Sequence, residues 1–291
     1  MHSSLVESLR KQQSASPEEW EGTFRRMVLF DLAKDMEFGN FLSYYRNFAV
    51  PQLAQTLARN GEITARPTKR SYDTAIVIYE IIASGLDSPR GQEMVSLLNR
   101  VHKYVPGKPE DFRYVLLTLL VVPIRWCEQH AWRKPTDTEV DAATRFFTEL
   151  GRRMHIVQLP SSFSDAAAIL DDYESENVAP SPAGLELMNA TVQILQGTLP
   201  TPVRPFTRIL LSAMFDDGRL AAALGLPRPR LWSRAALNGA LKARNVLRRW
   251  RPLSQEPRFT PGRPVSAIYP NGYKLADLGP VNVMTSADRV R

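Results

Sequence analysis

The residues best suited to chemistry lie at the start of one helix-forming stretch and at the end of the next. Residues 70–84 read RSYDTAIVIYEIIAS. Positions 70, 73, 74, 77, 78 and 81 share a face at helical spacing, so Arg70, Asp73 and Thr74 lead into Val77, Ile78 and Ile81. A cation, a carboxylate and a hydroxyl at the head of a hydrocarbon stripe predict a cavity with a polar end and an apolar body. The same residues also fit a plainer arrangement. Arg70 and Asp73 would then pair locally at a helix start, where an acid favours the helix dipole. His102 closes the following stretch, SLLNRVHKY, one turn past Leu98 on a stripe with Val95 and Met94. An imidazole there suits either a metal ligand or a packed side chain at a helix C-terminus.

Other chemistries are narrowed by residue type. Cys127 is the single cysteine of the 291 residues, which excludes a disulfide framework within one chain and any site built from several thiolates. It has no evident base beside it and reads as structural. The four histidines, His2, His102, His130 and His155, include no closely spaced ligand pair. His130 reads as structural and His155 as a packed imidazole, with a place lining a pocket as the alternative. Arg125 and Trp126 read as helix-surface packing, with a bound ligand as the alternative partner.

Those side chains must be positioned by helices. Thr136-Asp-Thr-Glu139 is a capping box that opens a helix running to about Arg153. Ser88-Pro89 opens another, which stops before Pro106-Gly107. The apolar spacing predicts helices near 18–34, 38–59, 69–84, 89–104, 111–131, 137–153, 163–175, 182–197, 203–224 and 232–250. Pro51 and Pro123 should kink or split two of them. No stretch alternates with period two. The expected fold is all-α, a single bundle of about ten helices over residues 1–251 enclosing an apolar cavity. A Pro-rich extended arm follows over 252–291, with Ile268, Tyr269, Tyr273 and Leu275 able to tie it to the body.

The order of motifs resembles the MpaB and latex-clearing-protein family of oxygenases. The stretch from about Phe38 to Leu226 carries Phe41–Pro51 (FLSYYRNFAVP), Arg70-xxx-Thr74, Ala83-Ser-Gly85 and His102. It continues with Tyr114-Val-Leu-Leu-Thr118, Pro123-Ile-Arg-Trp126, Gly151-Arg-Arg-Met154, Leu159-Pro160 and Tyr173. The resemblance implies a haem b whose iron is held by His102, with Arg70 and Thr74 near the opposite face and Val77 and Leu98 along the walls. It implies oxidative cleavage of a carbon–carbon double bond in a hydrophobic, isoprenoid-like substrate by dioxygen. Latex clearing protein has a lysine just before that threonine; this chain has Asp73, which leaves Arg70, Asp73 and Thr74 as the candidate catalytic set. The alternative function is a non-catalytic helical protein that binds a lipid or polyprenyl group at a membrane surface.

Charge is distributed unevenly. The net charge is +7, yet Arg228 to Arg263 holds ten basic residues and only Glu256 as an acid, and the rest is slightly acidic. Such lopsidedness, without a recognised module, argues against nucleic-acid binding. Within residues 232–250, Trp232, Ala236, Leu237, Ala240, Leu241, Val246, Leu247 and Trp250 share roughly one side and basic residues take much of the rest. That is expected either of a helix lying on an anionic membrane or of a surface helix with its charges in water. MHSSLVESLRKQQ has no apolar core of signal-peptide length, and the apolar run Val115–Ile124 is too short to span a bilayer. The expected location is therefore cytoplasmic, with a peripheral membrane contact.

Overall fold

A computed structural model describes residues 19–250, 254–265 and 268–279. The described residues form thirteen α-helices and no strand; an isolated antiparallel bridge joins Val265 and Tyr269. In chain order they are α1 (Trp20–Arg26), α2 (Ala33–Arg46), α3 (Pro51–Arg59), α4 (Glu62–Ala65), α5 (Pro67–Ser84), α6 (Pro89–His102) and α7 (Pro109–His130). They continue with α8 (Asp137–Arg153), α9 (Phe163–Asn177), α10 (Pro182–Thr198), α11 (Thr207–Met214), α12 (Gly218–Ala223) and α13 (Leu231–Arg249).

Local capping sets several boundaries. Ser88 Oγ accepts from Gly91 N at 2.9 Å, with Pro89 in the first turn of α6. At α8, Thr136 Oγ1 accepts from Glu139 N at 3.2 Å and Glu139 Oε2 accepts from Thr136 N at 2.8 Å. Pro51 does split the 38–59 stretch: α2 ends at Arg46, a 3-10 turn covers Asn47–Ala49, and α3 restarts at Pro51. Pro123 leaves α7 continuous. Its missing N–H coincides with a close crossing, because a Cβ on Gly39 of α2 would lie 2.3 Å from Pro123 Cα. The stretch 203–224 is not one helix but a 3-10 turn, α11 and α12. Asp217 breaks it by capping α12, accepting from Arg219 N at 2.7 Å. Likewise the stretch at 18–34 is interrupted by a π-turn over Met27–Asp31.

α7 is the central element. Its run Leu116, Leu117, Leu120, Val121, Val122 and Ile124 is buried on nearly all sides, as an all-round apolar helix must be. α2 packs along it, and α1 packs on α8 through Phe24 against Phe146, ring centres 4.8 Å apart. A second apolar cluster joins Tyr45 and Phe48 to Met188, Leu211 and Phe215, below α10 and α11. No described helix is long and apolar enough to cross a membrane.

The Pro-rich arm returns across the body. Arg258 N donates to Leu29 O at 2.8 Å, and Leu278 is fully buried. Tyr269 and Tyr273 anchor it as expected, each donating its hydroxyl to a buried carboxylate of α5. Residues 280–291 lie outside the described residues.

Candidate functional site

α5, α6 and the N-terminal half of α7 line an apolar cavity of about 200 Å³ that opens toward solvent, room for an organic group rather than a bare ion. Arg70, Asp73, Thr74, Val77, Leu98 and His102 all line it. Of the α5 face read from three-and-four spacing, positions 70, 73, 74, 77 and 78 line the cavity and Ile81 does not. α5 ends where Gly85 adopts φ +88, a left-handed conformation that an L side chain rarely takes. The chain can then turn back so that α6 faces α5.

His102 is half-buried at the C-terminal end of α6. Its Nδ1 lies 2.8 Å from Leu98 O. A carbonyl only accepts, so Nδ1 carries the proton and the lone pair sits on Nε2. Burial pushes the imidazole below the ordinary histidine value of 6.5, and the nearby Arg70 charge pushes the same way, against the Leu98 bond. The folded chain therefore favours a neutral imidazole with a basic nitrogen at an apolar cavity, the form that ligates metals.

Arg70 and Thr74 are coupled. An Arg70 guanidinium N–H donates to Thr74 Oγ1, and that hydroxyl donates its own proton to Arg70 O at 3.1 Å. Thr74 therefore orients Arg70, and Arg70 supplies the remaining donors at the polar end. Asp73 does not pair with Arg70 as the plainer arrangement anticipates. Its carboxylate accepts from Lys69 Nζ at 2.6 Å, Tyr269 OH at 2.7 Å and Gly279 N at 3.1 Å. It is buried and saturated, and it pins the arm over the cavity, where Gly279 joins the lining. Two turns further, Glu80 accepts from Tyr273 OH and from Arg90 Nε at 3.0 Å.

Among the lining residues that the sequence reading does not single out are Tyr44 and Asn47. Asn47 Nδ2 donates to Ser43 O at 3.2 Å, while its Oδ1 is buried with no donor. Their spacing of three at the end of α2 was the available signal, inside the FLSYYRN motif.

Other candidates lie elsewhere. Arg125 forms a two-pronged pair with Asp171 at 2.6 and 2.7 Å, and Trp126 packs on His130 with ring centres 4.3 Å apart, so neither serves the cavity. Cys127 is fully buried, and burial pushes its thiol well above the usual range. His155 is not packed. It has φ +59, is exposed, and lines a shallow depression beside His102.

A family model described as "ER-bound oxygenase mpaB/B'/Rubber oxygenase, catalytic domain" matches residues 34–251. The ER-bound oxygenase mpaB' of Penicillium brevicompactum is 27% identical over 245 residues, covering 78% of this chain and 56% of that protein. The ER-bound oxygenase mpaB of the same organism is 26% identical over 204 residues, covering 64% of this chain and 52% of that protein. The chain thus spans about half the length of these relatives. A structure of latex clearing protein in the closed state matches with a TM-score of 0.63 over 87% of this chain and 74% of that one. The identity is 16%, so the likeness is one of fold.

Proposed function

The chain belongs to the family of MpaB and rubber oxygenase catalytic domains, and from that premise we propose that it is a haem b-dependent oxygenase with His102 as the iron ligand. The observation that carries this is the His102 imidazole, its Nδ1 proton held by Leu98 O, at the edge of an apolar cavity that Arg70 also lines. The residues suit the group. Val77, Leu98, Leu53 and Val101 offer apolar walls for a macrocycle. When bound, haem supplies activation of dioxygen.

The chain's own residues set what happens around it. Leu98 O fixes the ring of His102 and raises its basicity. Arg70, held by Thr74, offers N–H donors in a cavity where water is scarce and such bonds count for more. The apolar walls exclude water and favour a hydrocarbon guest. Asp73 serves as the anchor of the arm rather than as a proton carrier. The substrate class that fits is a hydrophobic, isoprenoid-like chain, and the reaction is cleavage of its double bond into two carbonyl groups. One dioxygen supplies both oxygen atoms, and the broken double bond supplies the electrons.

The test is incubation of the haem-loaded chain with a polyprenyl substrate under isotopically labelled dioxygen. Two labelled carbonyl ends per cleaved bond are expected by mass spectrometry. Substrate recovered intact, or carbonyl oxygen drawn from water, would contradict the reading.

A further inference from the structure

α13 is oriented against the usual amphipathic rule. Three polar side chains face the body beside Leu241: Arg244 Nη2 donates to Asp35 Oδ1 at 2.5 Å, Asn245 Nδ2 donates to His130 O at 2.8 Å, and the Arg248 guanidinium lies over the Trp132 ring at 5.3 Å. Ser233 is its one buried residue. The helical repeat then turns the opposite face to solvent. That face carries Trp232, Ala236, Ala240, Val246, Leu247 and Trp250, with only alanine and glycine between them. Trp232 is 52%, Val246 55%, Leu247 62% and Trp250 72% exposed. Just ahead of the face, Leu231 is 88% exposed. A charge-free apolar face of this length is not left to water without cause.

We propose that this outward face of α13 docks the protein on an anionic lipid bilayer. Charge complementarity selects that occupant. No acid occurs between Asp217 and Glu256, while Arg228, Arg230 and Lys242 are exposed before the face or along its edge. A second copy would bring two such basic rims together. Tryptophans at both ends suit the headgroup boundary, where an indole is half in hydrocarbon and half in water. The contacts of Arg244 and Asn245 hold the helix so that the apolar face points away from the body. Docking places the cavity off the bilayer. α13 meets α7 at His130, whereas the cavity comes no nearer along α7 than Leu119, 11 residues or roughly 16 Å away. The helix therefore acts as an anchor and not as an entry port.

The test is flotation of the full chain with phosphatidylcholine vesicles, with and without phosphatidylserine, alongside sedimentation equilibrium. Binding is expected only with phosphatidylserine and should weaken as salt rises. Trp232→Ser with Trp250→Ser should reduce it at least tenfold at an unchanged melting temperature. Lys242→Glu should reduce it about fivefold or more. Three outcomes overturn the proposal: vesicle binding indifferent to these variants, equal binding to neutral vesicles, or a chain that does not float, whether it dimerises through this face or stays monomeric. None of the readouts involves haem or turnover.

Discussion

Two arginines of this protein occupy opposite electrostatic situations. Arg46 is buried at the junction of α2, α7 and α9. It is clamped by Glu174 at 2.6 and 2.8 Å and by Asp216 at 3.0 Å, and Tyr114 OH donates to the same glutamate at 3.0 Å. Tyr114 stacks on Tyr173 at 4.3 Å, whose hydroxyl donates to Asp111 at 2.5 Å. Arg70 has a hydroxyl for a partner and an apolar cavity beside it. A buried cation whose donors meet carboxylates holds helices together. A cation paired only with a neutral group retains donors for something that arrives later. Carboxylate partners, more than burial or residue type, separate this structural charge from the one proposed to function.

Perturbing the clamp should have the largest effect on stability. Glu174→Ala strands the Arg46 charge in the interior and should cost about 3–5 kcal/mol, read as a lowered midpoint in urea unfolding. Next in size is Gly39→Ala. Its Cβ would meet the backbone of Pro123, and overpacking of this kind costs about 1–3 kcal/mol by the same measurement. At the cavity the expectation reverses. Arg70→Met should leave unfolding unchanged within about 0.5 kcal/mol, yet lower turnover of the haem-loaded chain about a hundredfold. An Arg70→Met variant as destabilised as Glu174→Ala would erase the distinction.

The smallest expected effect is on pH dependence. His102 titrates below 6.5 in the folded chain, so the unfolded chain binds its proton first as pH falls. The stability tied to its neutral form is fully present above 6.5 and is lost as pH drops through the lower folded value. Histidine-resolved NMR should show this ring titrating below the ordinary value. A ring that titrates above it would contradict the burial argument.

What could be read from the sequence was local. The caps at Ser88 and Thr136 depend on residues three apart, and the lining face of α5 depends on spacings of three and four. The clamp joins Arg46 to Glu174 across 128 positions, and no local pattern announces such a pair, although FLSYYRN, Tyr114 and Tyr173 stood among the motifs that carried the family resemblance. Gly151 is another such motif residue, and its role is packing: a Cβ there would lie 2.6 Å from Leu159 and 2.8 Å from Leu116. The break before α12 was written in Asp216-Asp217-Gly218 but was outweighed by the apolar period around it. For α13, periodicity separates two faces without deciding which one meets the body. That depends on Asp35 and His130, far away in sequence. The partners of Asp73 escape local pattern for the same reason, since two of them, Tyr269 and Gly279, come from the arm.

The visible spectrum of the purified chain after haem b is supplied, compared between wild type and His102→Ala, tests the central claim most directly. The account predicts a Soret band and a positive pyridine haemochrome in wild type, both lost in the variant at an unchanged melting temperature. A wild-type chain that stays colourless, or a Soret band indifferent to the loss of His102, would contradict it and favour a cavity that only binds lipid.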